Sequence, residues 1–210
     1  MGSILLVRHG ETSWNQDRRI QGWAPSTLTA RGREQAQAVG AHIEAHYSPT
    51  RIVGSDLRRV QETVREIART FDRDIPVSYD SRWRERDFGV LQGLTYRGLF
   101  EGYPEFSLEA LGVHAVIAVP ERGESLLSMH ERVIEGFTAV MDSTEDDECT
   151  LVVAHGGPIR SVLGHIKGWD LIKTMIDQQQ SNCSINEVTL TDDGPTIVRE
   201  NDPVAPITRT

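Results

Sequence analysis

Cysteine is nearly missing from this sequence: its 210 residues include two, Cys149 and Cys183, spaced neither as a disulfide framework nor as metal ligands. Both read as small packed residues and not as redox groups. No apolar stretch approaches the ~20 residues needed to cross a bilayer. The run over residues 3–7 is too short, and wrongly flanked, for a secretion signal. Leu6 stands where N-myristoylation needs Ser or Thr. A cytoplasmic protein is the resulting expectation. Positive charge is also scarce, with 22 Lys and Arg against 31 acidic residues and a net charge of -9. That balance argues against nucleic acid and anionic membranes as partners. It also means that any anion site must be a local positive pocket in a negative field. Repeats, linkers and low-complexity tracts are missing too, so one domain over 1–210 with a substantial core is expected.

What is present is a motif that occurs twice. Ile4-Leu5-Leu6-Val7 runs into Arg8-His9-Gly10, and Leu151-Val152-Val153-Ala154 runs into His155-Gly156-Gly157. A continuous apolar run marks a strand buried on both faces. Ligands of open α/β sheets bind beyond the carboxyl ends of such strands. The spacing therefore predicts two histidines facing one crevice, and Arg8 makes its ligand an anion.

Between these strands the pattern alternates. Ala36, Val39, Gly40 and Ile43 repeat at helical spacing behind a Thr29 cap. A strand over residues 51–54 feeds a helix carrying Leu57, Val60, Val64 and Ile67, and residues 75–79 form a further short strand. Leu126, Met129, Val133 and Phe137 mark a helix over residues 125–141. Late strands over 184–190 and 196–199 flank the turn Asp192-Asp193-Gly194-Pro195. Alternation of this kind predicts an α/β fold, a three-layer α/β/α sandwich around a mostly parallel sheet. Residues 94–123 lack a clear period. Ordinary packing and a short helical or irregular lid both account for them, and the lid is the reading adopted.

Three segments supply chemistry. Asn15 follows His9 closely enough to donate to a phosphate oxygen. Ser55-Asp56-Leu57-Arg58-Arg59 places arginines at a helix start, where backbone N–H groups attract anions. Glu85 lies in a glycine-punctuated loop, within which a general acid reaches a leaving oxygen. His42 and His46, four apart on a helix without a third ligand, read as a solvated face, and Trp14 reads as packing.

Together these segments resemble the histidine phosphatase superfamily, in the branch that holds cofactor-dependent phosphoglycerate mutases and small phosphomonoesterases. The family's Arg-His-Gly-Glu-Thr-x-x-Asn falls on Arg8 to Asn15, its Ser-x-Leu-x-Arg on Ser55, Leu57 and Arg59, and its Glu-x-x-x-Gly on Glu85 and Gly89. The second histidine motif falls on Ala154 to Arg160, and Gly123-Glu124-Ser125 also matches. The resemblance implies that His9 is the nucleophile and Glu85 the general acid and base. Arg8, Arg59 and His155 would grip the phosphoryl oxygens. Asn15 and Gly156 would add hydrogen bonds, and Gln21 and Gly22 border the mouth. It implies no metal, no cofactor and a small phosphorylated metabolite as partner, and it leaves a homodimer open.

Departures from the family bear on the reaction. Phe88 and Tyr96 stand where mutases carry tyrosine and lysine, and the mutases' paired arginines are missing from the insertion, which offers Arg97 and Arg122. A phosphatase is therefore expected ahead of a mutase. A catalytically silent phosphate-binding relative ranks last, because all five core positions are filled.

Overall fold

The computed structural model describes residues 1–204. Along the chain run β1 (Ser3–Arg8), α1 (Ser13–Gln16), α2 (Ala30–His46), β2 (Pro49–Gly54), α3 (Arg58–Ala68) and β3 (Val77–Tyr79). Next come α4 (Tyr96–Gly102), α5 (Leu108–Leu111), α6 (Val113–Ile117), α7 (Leu126–Asp142), β4 (Cys149–Ala154), α8 (Gly156–Ile166), α9 (Leu171–Asp177), β5 (Ser184–Thr191) and β6 (Gly194–Pro203). The strands form one sheet in the order β3-β2-β4-β1-β5-β6. The first four of these are parallel, and β5 and β6 close the edge as an antiparallel hairpin.

The central pair behaves as its apolar runs require. All six residues of β4 are buried, as are Ile4 to Val7 of β1. Successive strand side chains point to opposite faces, so each run feeds two cores. Ile4, Leu6, Val152 and Ala154 pack with Val133 and Phe137 of α7 and Ile159 of α8. Leu5, Val7, Leu151 and Val153 pack with Val39 and Ile43 of α2 and Val60 and Val64 of α3. These are the three expected layers.

Register positions the site. Ser3 pairs with Cys149 and Arg8 with Ala154, so β1 and β4 end level and release His9 and His155 side by side. Helix α2 begins at the expected cap, Thr29 Oγ1 accepting from the Gly32 N–H at 2.9 Å, and α7 begins at Ser125, whose Oγ accepts from the Ser128 N–H at 2.9 Å. Residues 94–123 fold into α4, a 3-10 turn over Pro104–Phe106, α5 and α6. They gather on a small core of Ile20, Leu91, Leu99 and Phe106 beside the main body. Among the described residues, no helix is long and apolar enough to cross a membrane.

Candidate active site

His9 continues the ladder beyond β1, its N–H donating to the Ala154 carbonyl at 3.0 Å. Its Nδ1 lies 2.8 Å from the Gly10 carbonyl oxygen. A carbonyl only accepts, so Nδ1 carries the proton and Nε2 keeps its lone pair. Arg59 Nε lies 3.3 Å from that Nε2 and 3.2 Å from His155 Nδ1. One guanidinium N–H thus bridges both imidazoles, whose centroids are 5.2 Å apart. With Nδ1 accepting, His155 Nε2 carries its proton and donates to Ser55 Oγ at 2.8 Å.

Arg59 opens α3 on its buried side and is 1 % exposed. Its Nη2 donates to the Gly22 carbonyl at 2.7 Å and its Nη1 to that of Ala24 at 3.3 Å. Arg58, by contrast, points outward and pairs with Glu62 at 3.1 Å. Burial, and secondarily the Arg8 charge, lower the Arg59 pKa to about 10, which leaves it cationic at neutral pH. Burial and then the Arg59 charge hold both His9 and His155 well below the ordinary imidazole value. Both rings are therefore neutral where free histidine titrates.

The remaining positions arrange themselves around this pair. Arg8 donates from Nη1 to the Gln180 carbonyl at 2.6 Å, while its buried Nε has no partner. Asn15 forms a capping box with Thr12 at the start of α1. Gln21 Oε1 accepts from the hydroxyls of Thr12 at 2.9 Å and Ser26 at 2.6 Å. Gln21 and Gly22 thus stand behind Thr12 and Arg59, holding the loop from which the arginine hangs. Asn182, given no role by the sequence reading, donates to the His9 carbonyl at 2.8 Å.

Glu85 approaches from the opposite side. Its Oε2 accepts from the Gly157 N–H at 3.2 Å and its Oε1 from the Arg86 N–H at 3.0 Å. A Cβ on Gly157 would lie 2.2 Å from Glu85 Oε1, so this glycine makes the close approach possible. The loop behind Glu85 is clamped by Arg132 of α7, which donates to the carbonyls of Arg82 at 2.8 Å, Arg84 at 2.7 Å and Glu85 at 2.9 Å. Arg132 in turn pairs with Glu124. The sequence marked Glu124 through its motif but left Arg132 unnoticed, since an arginine on a helix surface carries no signal of the loop it will meet.

A cleft of about 390 Å³ opens here, lined by Arg8, Asn15, Glu85, Tyr96, Gly156 and Arg160, among others. Trp14, read from the sequence as packing, borders it, as does Arg18. His9 is 2 % exposed and His155 is fully buried, beneath the cleft-lining Arg8 and Gly156 that adjoin them in the chain. His42 and His46 stack on each other at 4.3 Å, and no group of three or more metal-ligating side chains occurs among the described residues.

Two paired imidazoles, buried arginines and the Glu85 carboxylate are thus gathered at the ends of β1 and β4. The profile of the histidine phosphatase superfamily (branch 1) matches residues 4–203, and the chain belongs to that superfamily. It is 35 % identical over 159 residues to phosphoglycerate mutase-like protein 4 of Arabidopsis thaliana, covering 76 % of this chain and 68 % of that one. Its fold superposes on Bacillus stearothermophilus YhfR with TM-score 0.84 and 27 % identity, covering 95 % of this chain and 96 % of the other. A mycobacterial glucosyl-3-phosphoglycerate phosphatase, solved with VO3, gives TM-score 0.78 and 25 % identity over 96 % of this chain and all (100 %) of that one.

Proposed function

We propose that this protein is a phosphomonoesterase that works through a phosphohistidine on His9 without a metal. The observation that carries the reading is the single Arg59 N–H set 3.3 Å from the basic Nε2 of His9 and 3.2 Å from His155. It keeps a neutral imidazole nucleophile beside a fixed positive charge, the combination that attack on phosphorus requires.

His9 Nε2 forms a bond to phosphorus as the ester P–O bond breaks, and Glu85, in its acid form, gives its proton to the departing alkoxide. Arg8, Arg59 and His155 offset charge on the equatorial oxygens, with Asn15 and the Gly156 N–H adding hydrogen bonds. Glu85, now a carboxylate, takes a proton from water. The water oxygen bonds to phosphorus, the P–N bond breaks, and inorganic phosphate leaves. Residues 94–123 act as the specificity insertion, with Tyr96 at the cleft edge.

Relatives named as mutases make isomerisation the second reading. Against it, Arg97 and Arg122 of the insertion are 85 % and 82 % exposed and sit beside Glu101 and Glu121, away from the cleft. The test is phosphate release from a panel of phosphomonoesters, 3-phosphoglycerate included, by the protein and by His9→Ala. Release by the parent, an acid-labile phosphoryl group on His9 and loss of turnover in the variant are expected. Conversion of 3- to 2-phosphoglycerate without release would establish the mutase instead.

A further inference from the structure

The cleft holds more positive charge than one phosphate needs. Arg8, Arg18, Arg19 and Arg160 line it, with Glu85 as the sole carboxylate among the lining residues. Arg19 is already answered, by Asp17 at 3.5 Å and the Gly93 carbonyl at 2.8 Å. Arg18 and Arg160 are not, for neither is ion-paired among the described residues. Acids outnumber bases 31 to 22 in this chain. Several surface arginines do find them, among them Arg58 with Glu62, Arg73 with Glu44 and Arg84 with Asp56. Two unanswered guanidiniums on one cleft therefore call for a ligand.

Their settings support this. Arg160, one helical turn beyond His155 on α8, buries its Nε without any hydrogen-bond partner and holds only the Met175 carbonyl, at 3.4 Å through Nη1. Arg18 adopts φ +52°, a left-handed conformation uncommon for a residue with a side chain. Its carbonyl accepts from the Tyr96 N–H at 3.1 Å, which fixes it beside another cleft residue. Burial lowers the Arg8 pKa, and the charge of Arg160, which lines the same cleft, adds to the effect.

We propose that Arg18 and Arg160 form a second anion subsite, selecting a compact phosphomonoester that carries a further negative group over an ester of a neutral alcohol. The inference rests on the phosphatase reading above. A phosphomonoester dianion brings two negative charges, which Arg8 and Arg59 match. Arg18 and Arg160 are left for a carboxylate or a second phosphate on the same molecule.

The test compares kcat/KM for 2-phosphoglycolate, ethylene glycol bisphosphate and ethyl phosphate, esters that differ in the group opposite the phosphate. At least one charged ester is expected to exceed ethyl phosphate by ~tenfold or more, the scale of one charge-assisted hydrogen bond. The larger of the two ratios tells carboxylate from phosphate. In Arg160→Gln and in Arg18→Gln that preference should fall ~tenfold, and Arg160→Lys should restore part of it. Equal use of all three esters, or a preference that survives both substitutions, overturns the subsite. Arg18 lies on the exposed rim, so its variant answers the question even if Arg160→Gln does not fold. Calorimetric binding of 2-phosphoglycolate and ethyl phosphate to the His9→Ala protein reads the same preference without turnover. Failure of all hydrolysis would therefore sink the phosphatase reading alone, while equal binding would sink the subsite alone.

Discussion

Gly157 shows how much of this site depends on one missing methyl group. Its N–H holds Glu85 Oε2 at 3.2 Å, and a Cβ there would lie 2.2 Å from Oε1. Gly157→Ala must therefore push the carboxylate off its seat. General acid assistance is worth ~10²–10⁴-fold, so kcat on an alkyl phosphate should fall at least ~10²-fold in this variant. With p-nitrophenyl phosphate, whose leaving group needs little protonation, the fall should be much smaller. Equal losses on the two esters would remove Glu85 from the acid's role. The histidines give a second prediction at this scale. His9 and His155 stay neutral in the fold, whereas in the unfolded chain their pKa is the ordinary 6.5. Below that pH the unfolded state binds more protons, and stability drops as the pH falls; above it, these two residues contribute no slope. Imidazole nitrogen NMR should show both rings unprotonated at pH 6.5, and half-titration there would refute the assignment. The positions of His9 and His155 were legible because a buried strand ending in His-Gly is a local pattern. Arg59 was separable from Arg58 only through the resemblance, since both open the same helix and only tertiary packing buries one of them.

Elements, not single residues, hold Glu85 in place. Arg132 on α7 reaches across to three carbonyls, of Arg82, Arg84 and Glu85, and Glu124 fixes its far side. Arg132→Met keeps much of the aliphatic stem but removes the donor to the Arg82 and Arg84 carbonyls, whereas the Glu85 carbonyl keeps Trp23 Nε1 at 2.7 Å and Glu124 keeps the Asp87 N–H at 2.9 Å. We expect a stability loss of ~1–3 kcal/mol, and a kcat on alkyl phosphates reduced by ~tenfold or more. A drop in melting temperature with kcat intact would make Arg132 a structural residue only. This clamp escaped sequence reading because its partners lie 47 to 50 residues apart and every one of them is a backbone carbonyl. The long helices and the central strands were legible for the opposite reason: each repeats its apolar period often enough to be read. Residues 94–123 break into helices of seven residues or fewer, too short for a period to emerge. Their small core around Leu99 and Phe106 also draws Ile20 and Leu91 from other parts of the chain.

At the scale of the whole molecule, the fold collects positive charge against the trend of its composition. A chain with net charge -9 brings Arg8 from the end of β1, Arg160 from α8 and Arg18 from beyond α1 to one cleft, and sets Arg59 from the start of α3 against His9 and His155. No two of these come from the same element, so only the completed sheet, with β1 and β4 level and α3 and α8 starting beside them, assembles the cation cluster. The α8 N-terminus adds the oriented N–H of Gly156, while that of Gly157 is given to Glu85. In two-metal phosphatases bound cations stabilise the attacking and leaving oxygens; in the mechanism proposed above, fixed guanidiniums would neutralise the phosphoryl charge and Glu85 would protonate the leaving oxygen. Phosphate release should therefore continue undiminished after exhaustive dialysis against EDTA, and added Mg²⁺, Mn²⁺ or Zn²⁺ should not raise kcat. Loss of turnover on chelation, restored by one of these ions, would show that the arginines do not suffice. The same dependence on the completed sheet implies that the site forms only as the fold does. Denaturant titrations followed by vanadate binding and by far-ultraviolet circular dichroism should then trace one transition.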